Sequence, residues 1–128
     1  MPGISIGDIL SPSLIGANAS ATLYILTQGL EECNLAVISN VDMTFTMYDG
    51  LGNAQSPITQ SPIPHTYGVA PTGVTFSTGG RSYETTPKDA GQNVTTVAML
   101  LRRMCPWVKI VFYNEEASQG TFSVQGEI

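Results

Sequence analysis

The chain has 128 residues, of which 42% are hydrophobic and only 12% charged, a length that suits one domain over residues 1–128 and a charge content too low for a protein of solvated helices. Its formal net charge is −5, and all of its Lys and Arg residues lie beyond residue 80, which excludes the basic surfaces that bind nucleic acid or anionic membranes. No apolar stretch approaches the roughly 20 residues of a membrane-spanning helix, and no secretory signal is recognisable.

The first twenty residues mix apolar side chains with Gly, Pro and Ser and show no helical periodicity. We interpret residues 1–20 as an extended amino-terminal arm with a short edge strand, because Pro2 and Pro12 exclude pairing in the middle of a sheet. Residues 21–28 are mostly apolar on both sides. They predict a strand that is covered on both faces.

The clearest alternation in the first half of the chain lies between residues 41 and 48. The apolar members are Val41, Met43, Phe45 and Met47, and the members between them are Asp42, Thr44, Thr46 and Tyr48. This period of two predicts a strand with one dry and one wet face. The Gly and Asn residues between positions 49 and 53 predict a reversal of the chain after it.

Four prolines fall between residues 55 and 73, a density that excludes a helix and a central strand and predicts a long surface excursion. Such excursions commonly serve binding or a neighbouring subunit. We expect a short strand over residues 73–78, a polar loop over 79–93 and a strand over 94–101, where β-branched residues favour a strand over a helical turn. Arg102 and Arg103 then mark an exposed turn.

Residues 106–128 predict a hairpin of two strands joined by a polar turn. Val108, Ile110 and Phe112 share one side of the first strand, and Phe122, Val124 and Ile128 share one side of the second. The other side of the first strand carries Trp107, Lys109, Val111 and Tyr113. Because that side is also largely apolar, it needs a cover from the domain itself, from a second subunit or from a sugar stacked on the rings.

Seven to nine short strands with frequent turns predict the fold class. We expect an all-β protein, an antiparallel β-sandwich of jelly-roll type with an extended amino-terminal arm.

Side chains that carry chemistry are few. His65 is the only histidine and lies in a proline-rich loop, which gives no support to a histidine-dependent nucleophile or a zinc site. Cys33 and Cys105 are either two free thiols or one bridge. The acids show no spacing typical of a catalytic pair, and an oxygen-ligand calcium site is a minor alternative. We therefore predict no enzymatic activity, no metal and no cofactor.

Residues 105–128 resemble the closing hairpin of small β-sandwich proteins from the virions of tailed bacteriophages. The matching residues are Trp107, Val108, Lys109, Val111, Tyr113, Ser118, Gly120, Thr121 and Phe122. The chain departs from the family at its turn, which is acidic rather than built from plain Ser, Thr and Gly.

The resemblance implies a structural protein of the virion, made in the host cytoplasm, such as a capsid cement or decoration protein. Its partners would be the major capsid protein or other virion proteins, and it would form a dimer or trimer. The alternative is a carbohydrate-binding or adhesin module of a fibre that uses Trp107, Tyr113 or Tyr48 for stacking. The predicted contact residues are Ile4, Ile6, Ile9, Leu10, Ile58, Ile63, His65, Tyr67, Arg102, Arg103 and Trp107.

Overall fold

The structure, a computed structural model, describes residues 5–26, 32–52, 65–85, 94–101 and 107–127, and these ranges contain ten strands and no helix. The strands are β1 (Ser5–Ile15), β2 (Ser20–Leu26), β3 (Glu32–Ser39), β4 (Met43–Leu51), β5 (His65–Tyr67), β6 (Thr75–Phe76), β7 (Arg81–Thr85), β8 (Val94–Leu101), β9 (Trp107–Asn114) and β10 (Gly120–Glu127). A helix able to cross a membrane is therefore not found in the described part of the chain.

Two antiparallel sheets contain these strands. The smaller sheet has the order β1, β10, β3, β8, and the larger has the order β5, β2, β9, β4, with β6 and β7 both pairing with β4. When the two short strands β5 and β6 are set aside, the first strand pairs with the last, the second with the seventh, the third with the sixth and the fourth with the fifth. This nested pairing is that of a jelly roll, as the sequence predicts.

The core lies between the two sheets and is built from the alternating apolar residues. Val41, Met43, Phe45 and Met47 are all buried, which confirms the alternation that predicts this strand. Phe112 connects the two layers, because its ring centroid lies 5.7 Å from that of Phe45 in the same sheet and 4.8 Å from that of Phe122 in the other. Aromatic pairs at these separations add to the free energy gained from burial.

The last two strands do not form the predicted hairpin. β9 pairs with β2 and β4 in the larger sheet, whereas β10 pairs with β1 and β3 in the smaller one. The hairpin prediction was wrong because alternation requires only that each strand bury one face, and it does not say which strands are hydrogen-bonded. Here the two buried faces meet across the core, and the turn after Asn114 carries the chain from one sheet to the other.

Most of the predicted arm belongs to the sandwich. β1 is an edge strand, as Pro12 requires, but it runs over eleven residues and its pairing with β10 is interrupted by three register shifts. Leu10 packs in the core. Residues 1–4 of the predicted arm lie outside the described residues.

The predicted polar loop over residues 79–93 is also partly wrong, because β7 pairs with Met43–Met47 of β4 at the border of the larger sheet. The residues of β7 are mostly polar and give no apolar alternation. A strand at the border of a sheet can form without such alternation, since its backbone pairing is made with one neighbour only.

Gly120, the first residue of β10, lies against the turn between β3 and β4. A Cβ atom at this position would lie 2.5 Å from Cγ1 of Val41, which is itself buried. We expect Gly120→Ala to lower the free energy of unfolding by about 1–3 kcal/mol, because the core cannot move aside. Urea unfolding measures this. Gly79→Ala, where the added Cβ has no neighbour within 4 Å, is the control, and an equal loss in both variants would contradict the steric explanation.

Candidate interaction surface

The outer face of the larger sheet carries the side chains of β2, β9 and β4 that point away from the core. We call one part of it the aromatic half. It is defined by two cross-strand rows, the first made of Leu26, Trp107 and Gly50 and the second of Tyr24, Lys109 and Tyr48. We call the other part the hydroxyl half. Its first row is made of Thr22, Val111 and Thr46, and its second row of Ser20, Tyr113 and Thr44.

A segment that we call the strap, residues 68–80, covers the aromatic half. Phe76 lies opposite Gly50, and a Cβ atom on Gly50 would lie 2.5 Å from Cε1 of Phe76. Glycine is therefore required for this ring to lie on the sheet. The ring centroid of Phe76 is 5.4 Å from that of Tyr24.

Lys109 lies in the middle of this aromatic group. Its Nζ atom is 4.7 Å from the ring centroid of Tyr48 and 5.5 Å from that of Phe76. Both distances are within the range of cation–π attraction. The lysine thus connects the sheet to the strap, because one ring belongs to β4 and the other to the strap.

Trp107 and Leu26 are buried outside the main core. They are cross-strand partners on the outer face, with exposures of 4% and 2%, and neither belongs to the cluster between the sheets. The sequence left open whether this side of β9 is covered by the domain itself, by a second subunit or by a sugar. The structure buries Trp107 within the chain itself, so its indole offers no stacking surface to a sugar in this conformation.

The hydroxyl half is more open. Tyr113 is 38% exposed. The hydroxyl oxygens of Thr46 and Ser82 lie 2.9 Å apart, and Thr44 Oγ1 donates to Glu115 Oε1 at 2.7 Å. These hydroxyls are therefore held in place by their neighbours around an accessible phenol.

The structure describes the side chains of three predicted contact residues. Leu10 and Trp107 are buried, so contact through either one requires the chain that covers it to move. Tyr67 ends β5 and is 40% exposed, and burial of part of its phenol raises the pKa of that group.

The other predicted contact residues are placed less fully. Ile6 and Ile9 lie in β1, and His65 pairs with Ile25 at the start of β5. The remaining ones fall outside the described residues: Ile4, Ile58, Ile63, Arg102 and Arg103. The role of all these residues in contacts stays a prediction.

The sequence interpretation missed Val69, which is 69% exposed and lies two residues after β5. Leu14 and Leu51 are also exposed. A local signal existed for Val69, because an apolar residue between Gly68 and Pro71 has no regular strand neighbours to cover it.

At one end of the sandwich, three turns are joined by hydrogen bonds. The N–H of Asn18 donates to Glu116 O at 3.0 Å, that of Glu115 donates to Asp42 O at 3.0 Å, and that of Asp42 donates to Glu116 Oε2 at 2.6 Å. The first two bonds are accepted by backbone carbonyls, and the third is accepted by the carboxylate of Glu116. Within the described ranges, no group of three or more His, Cys, Asp or Glu residues could hold a metal ion.

Asn114 lies at the centre of this end and is fully buried. Its Nδ2 atom donates to Gly16 O at 3.0 Å and to Ser118 O at 2.8 Å, and its Oδ1 atom accepts the N–H of Glu116 at 2.9 Å. The side chain thus ties the β1–β2 turn to the β9–β10 turn. The sequence did not single out Asn114, since no local pattern distinguishes a buried asparagine from a solvated one.

A comparison of the chain with models of known protein families found no match. A search of curated proteins found no similar sequence. The function of the protein therefore has to be inferred from its fold and its surface.

Proposed function

We propose that this protein is a non-enzymatic structural protein of a bacteriophage virion, a capsid cement or decoration protein that binds the shell and reinforces it. A jelly roll is compatible with this role, because viral capsid proteins and lectins both use that architecture. Since one fold supports many functions, the surface has to supply the further support. The other support is the sequence resemblance of residues 105–128 to virion proteins, which lies in the residues alone, because β9 and β10 do not form a hairpin here.

The observation that carries the proposal is the exposure of apolar side chains in the excursion predicted to make contacts. Tyr67 and Val69 are 40% and 69% exposed and lie two residues apart. Covering apolar surface contributes about 25 cal/mol per Å² before the costs of ordering are subtracted. A partner that covers both side chains would therefore gain free energy of association at this point.

The backbone of Tyr67 and the amide that follows it are already fixed by the sheet. β5 pairs with β2, and the N–H of Gly68 donates to Thr22 O at 2.8 Å. Little conformational entropy is then lost at Tyr67 when a partner binds, which favours affinity. β5 is also the outermost strand on its side of the larger sheet, and no described strand pairs with its other edge. An extended segment of the shell protein would add to that edge by backbone hydrogen bonds.

The proposal is tested with purified virions of the phage that encodes the chain and with particles that lack it. We expect the chain in the virions in a fixed ratio to the shell protein, and we expect the recombinant protein to sediment with the deficient particles. Equilibrium sedimentation of the isolated protein tests the proposed dimer or trimer. A protein that stays in the supernatant with every particle would contradict the proposal.

Val69→Asp tests the surface itself. We expect it to weaken binding to particles about tenfold or more, equivalent to roughly 1.4 kcal/mol, because a charge would be buried against the partner. Thr78→Asp adds the same charge at another exposed position of the strap and should bind as the wild type does. Thermal unfolding shows whether both variants are folded. Equal binding by Val69→Asp and the wild type would exclude this surface.

Carbohydrate binding is the second candidate, and the exposure of Tyr113 among the ordered hydroxyls of the hydroxyl half favours it. Tyrosine rings stack on sugars. A glycan array would show binding that Tyr113→Ala abolishes and that Tyr67→Ala, at the edge strand β5, leaves unchanged. Trp107→Ala is a poorer test, because that residue is buried.

A further inference from the structure

The aromatic half forms a small apolar cluster separate from the main core. Leu26 and Trp107 lie side by side on the outer face. Their neighbour Gly50 is covered by Val74 and Phe76, since a Cβ atom on Gly50 would lie within 3.0 Å of both side chains. Residues of the strap therefore lie on the outer face at Gly50, beside Trp107.

The strap contributes little buried side-chain surface. None of its residues is buried, and only Pro71, Val74 and Phe76 are half-buried. Besides the β6 pairing, backbone hydrogen bonds to the sheet run from Gly68 N–H to Thr22 O and from Ser77 N–H to Asp49 O, each 2.8 Å long. The carbonyl of Gly73 lies against Gly52 at the end of β4. Segments with little buried surface open at a lower free energy than the core does.

Both ends of the strap have residues that allow the backbone to rotate. Gly68 has φ +78°, a conformation that glycine adopts without strain. Gly79, at the other end, has no atom within 4 Å of its ideal Cβ position. Hinges are a few residues that absorb changes of φ and ψ. The strap can therefore move between these two points while β5 and β7 stay paired.

We propose that the strap is a latch, which opens by rotation about Gly68 and Gly79 while both sheets stay folded and so exposes Leu26 and Trp107. Phe76 and Lys109 hold the latch closed, because they make the aromatic and cation–π contacts between strap and sheet. Opening makes Trp107 available as the contact residue that the sequence predicts, and only this use in binding rests on the proposed function.

Hydrogen exchange on the isolated wild-type protein tests the latch directly. We expect the amide of Ser77, which donates to Asp49 O, to exchange at least about tenfold faster than the amide of Ile110 in β9. The opening that exposes the Ser77 amide should be local, so low concentrations of denaturant should not speed its exchange. Equal protection of Ser77 and Ile110 would overturn the proposal, because the strap would then open only on global unfolding.

Trp107 provides a second test, since it is the only tryptophan of the chain. Phe76→Ala removes the anchor, and we expect acrylamide to quench the indole fluorescence several-fold more strongly while the far-ultraviolet circular dichroism is unchanged. Tyr113→Ala, which removes a ring from the hydroxyl half, should leave the quenching unchanged. Indole exposure that occurs only with loss of the sheet signal would contradict the latch. No virion is used, so the latch and the proposed function can fail independently.

Discussion

Phe112→Ala is expected to lower the free energy of unfolding by about 3–5 kcal/mol, the range for removal of a buried phenylalanine ring. Phe112 is fully buried and its ring contacts Phe45 within its own sheet and Phe122 in the other. The substitution thus leaves a cavity between the two layers. Since domains are commonly stable by only about 5–15 kcal/mol, the loss is a large part of the total. Urea unfolding followed by circular dichroism measures it.

The neighbouring residue supplies the control for this variant. Tyr113 lies on the same strand but points to the outer face, where it is 38% exposed. We expect Tyr113→Ala to change the free energy of unfolding by less than about 1 kcal/mol. If both variants lost the same stability, the layer between the sheets would not be the main source of the stability of the fold.

The sequence predicts which residues are buried in the core far better than it predicts which strands pair. Met43, Phe45 and Met47 could be assigned to the core because the two-residue period of a strand is a local property. The partners of β9 and β10 could not be assigned, since strands that pack face to face and strands that pair edge to edge show the same alternation. The nested pairing depends on contacts between residues far apart in the chain.

The candidate surface was harder to predict because its cover is also distant in sequence. Gly50 was interpreted as part of a turn, but β4 continues through Leu51 and the backbone reaches positive φ only at Gly52. Gly50 is needed because Phe76, from a later strand, lies on it. The outer side of β9 carries Trp107, and the sequence could not show that the chain itself buries this residue.

The asparagine at the turn-bearing end has the second large expected effect. Asn114→Ala should lower the free energy of unfolding by about 2–4 kcal/mol, because it removes a fully buried amide and leaves three part-buried backbone groups without its hydrogen bonds. Those groups are the carbonyls of Gly16 and Ser118 and the N–H of Glu116. Asn18→Gly is the control, since it removes only an exposed side-chain bond of 3.5 Å and glycine tolerates the positive φ of 51° at this position. Similar losses in the two variants would show that the central hydrogen bonds contribute little.

Asn114→Asp separates the hydrogen bonds from the size of the side chain. The carboxylate still accepts the N–H of Glu116, but it cannot donate to the carbonyls of Gly16 and Ser118 and instead faces their oxygens. Burial and these dipoles raise the pKa of the introduced carboxyl above its unfolded value, because both disfavour the charged form. The folded state then binds the proton more tightly, so this variant gains stability as pH falls through the folded-state pKa, and the gain is complete below the unfolded pKa. Asn114→Ala has no such group. The difference in free energy of unfolding between the two variants should therefore change between about pH 7 and about pH 4, the lower limit being close to the pKa of an aspartate carboxyl in the unfolded chain. A constant difference over that range would mean that the side chain at position 114 reaches water, contrary to its burial.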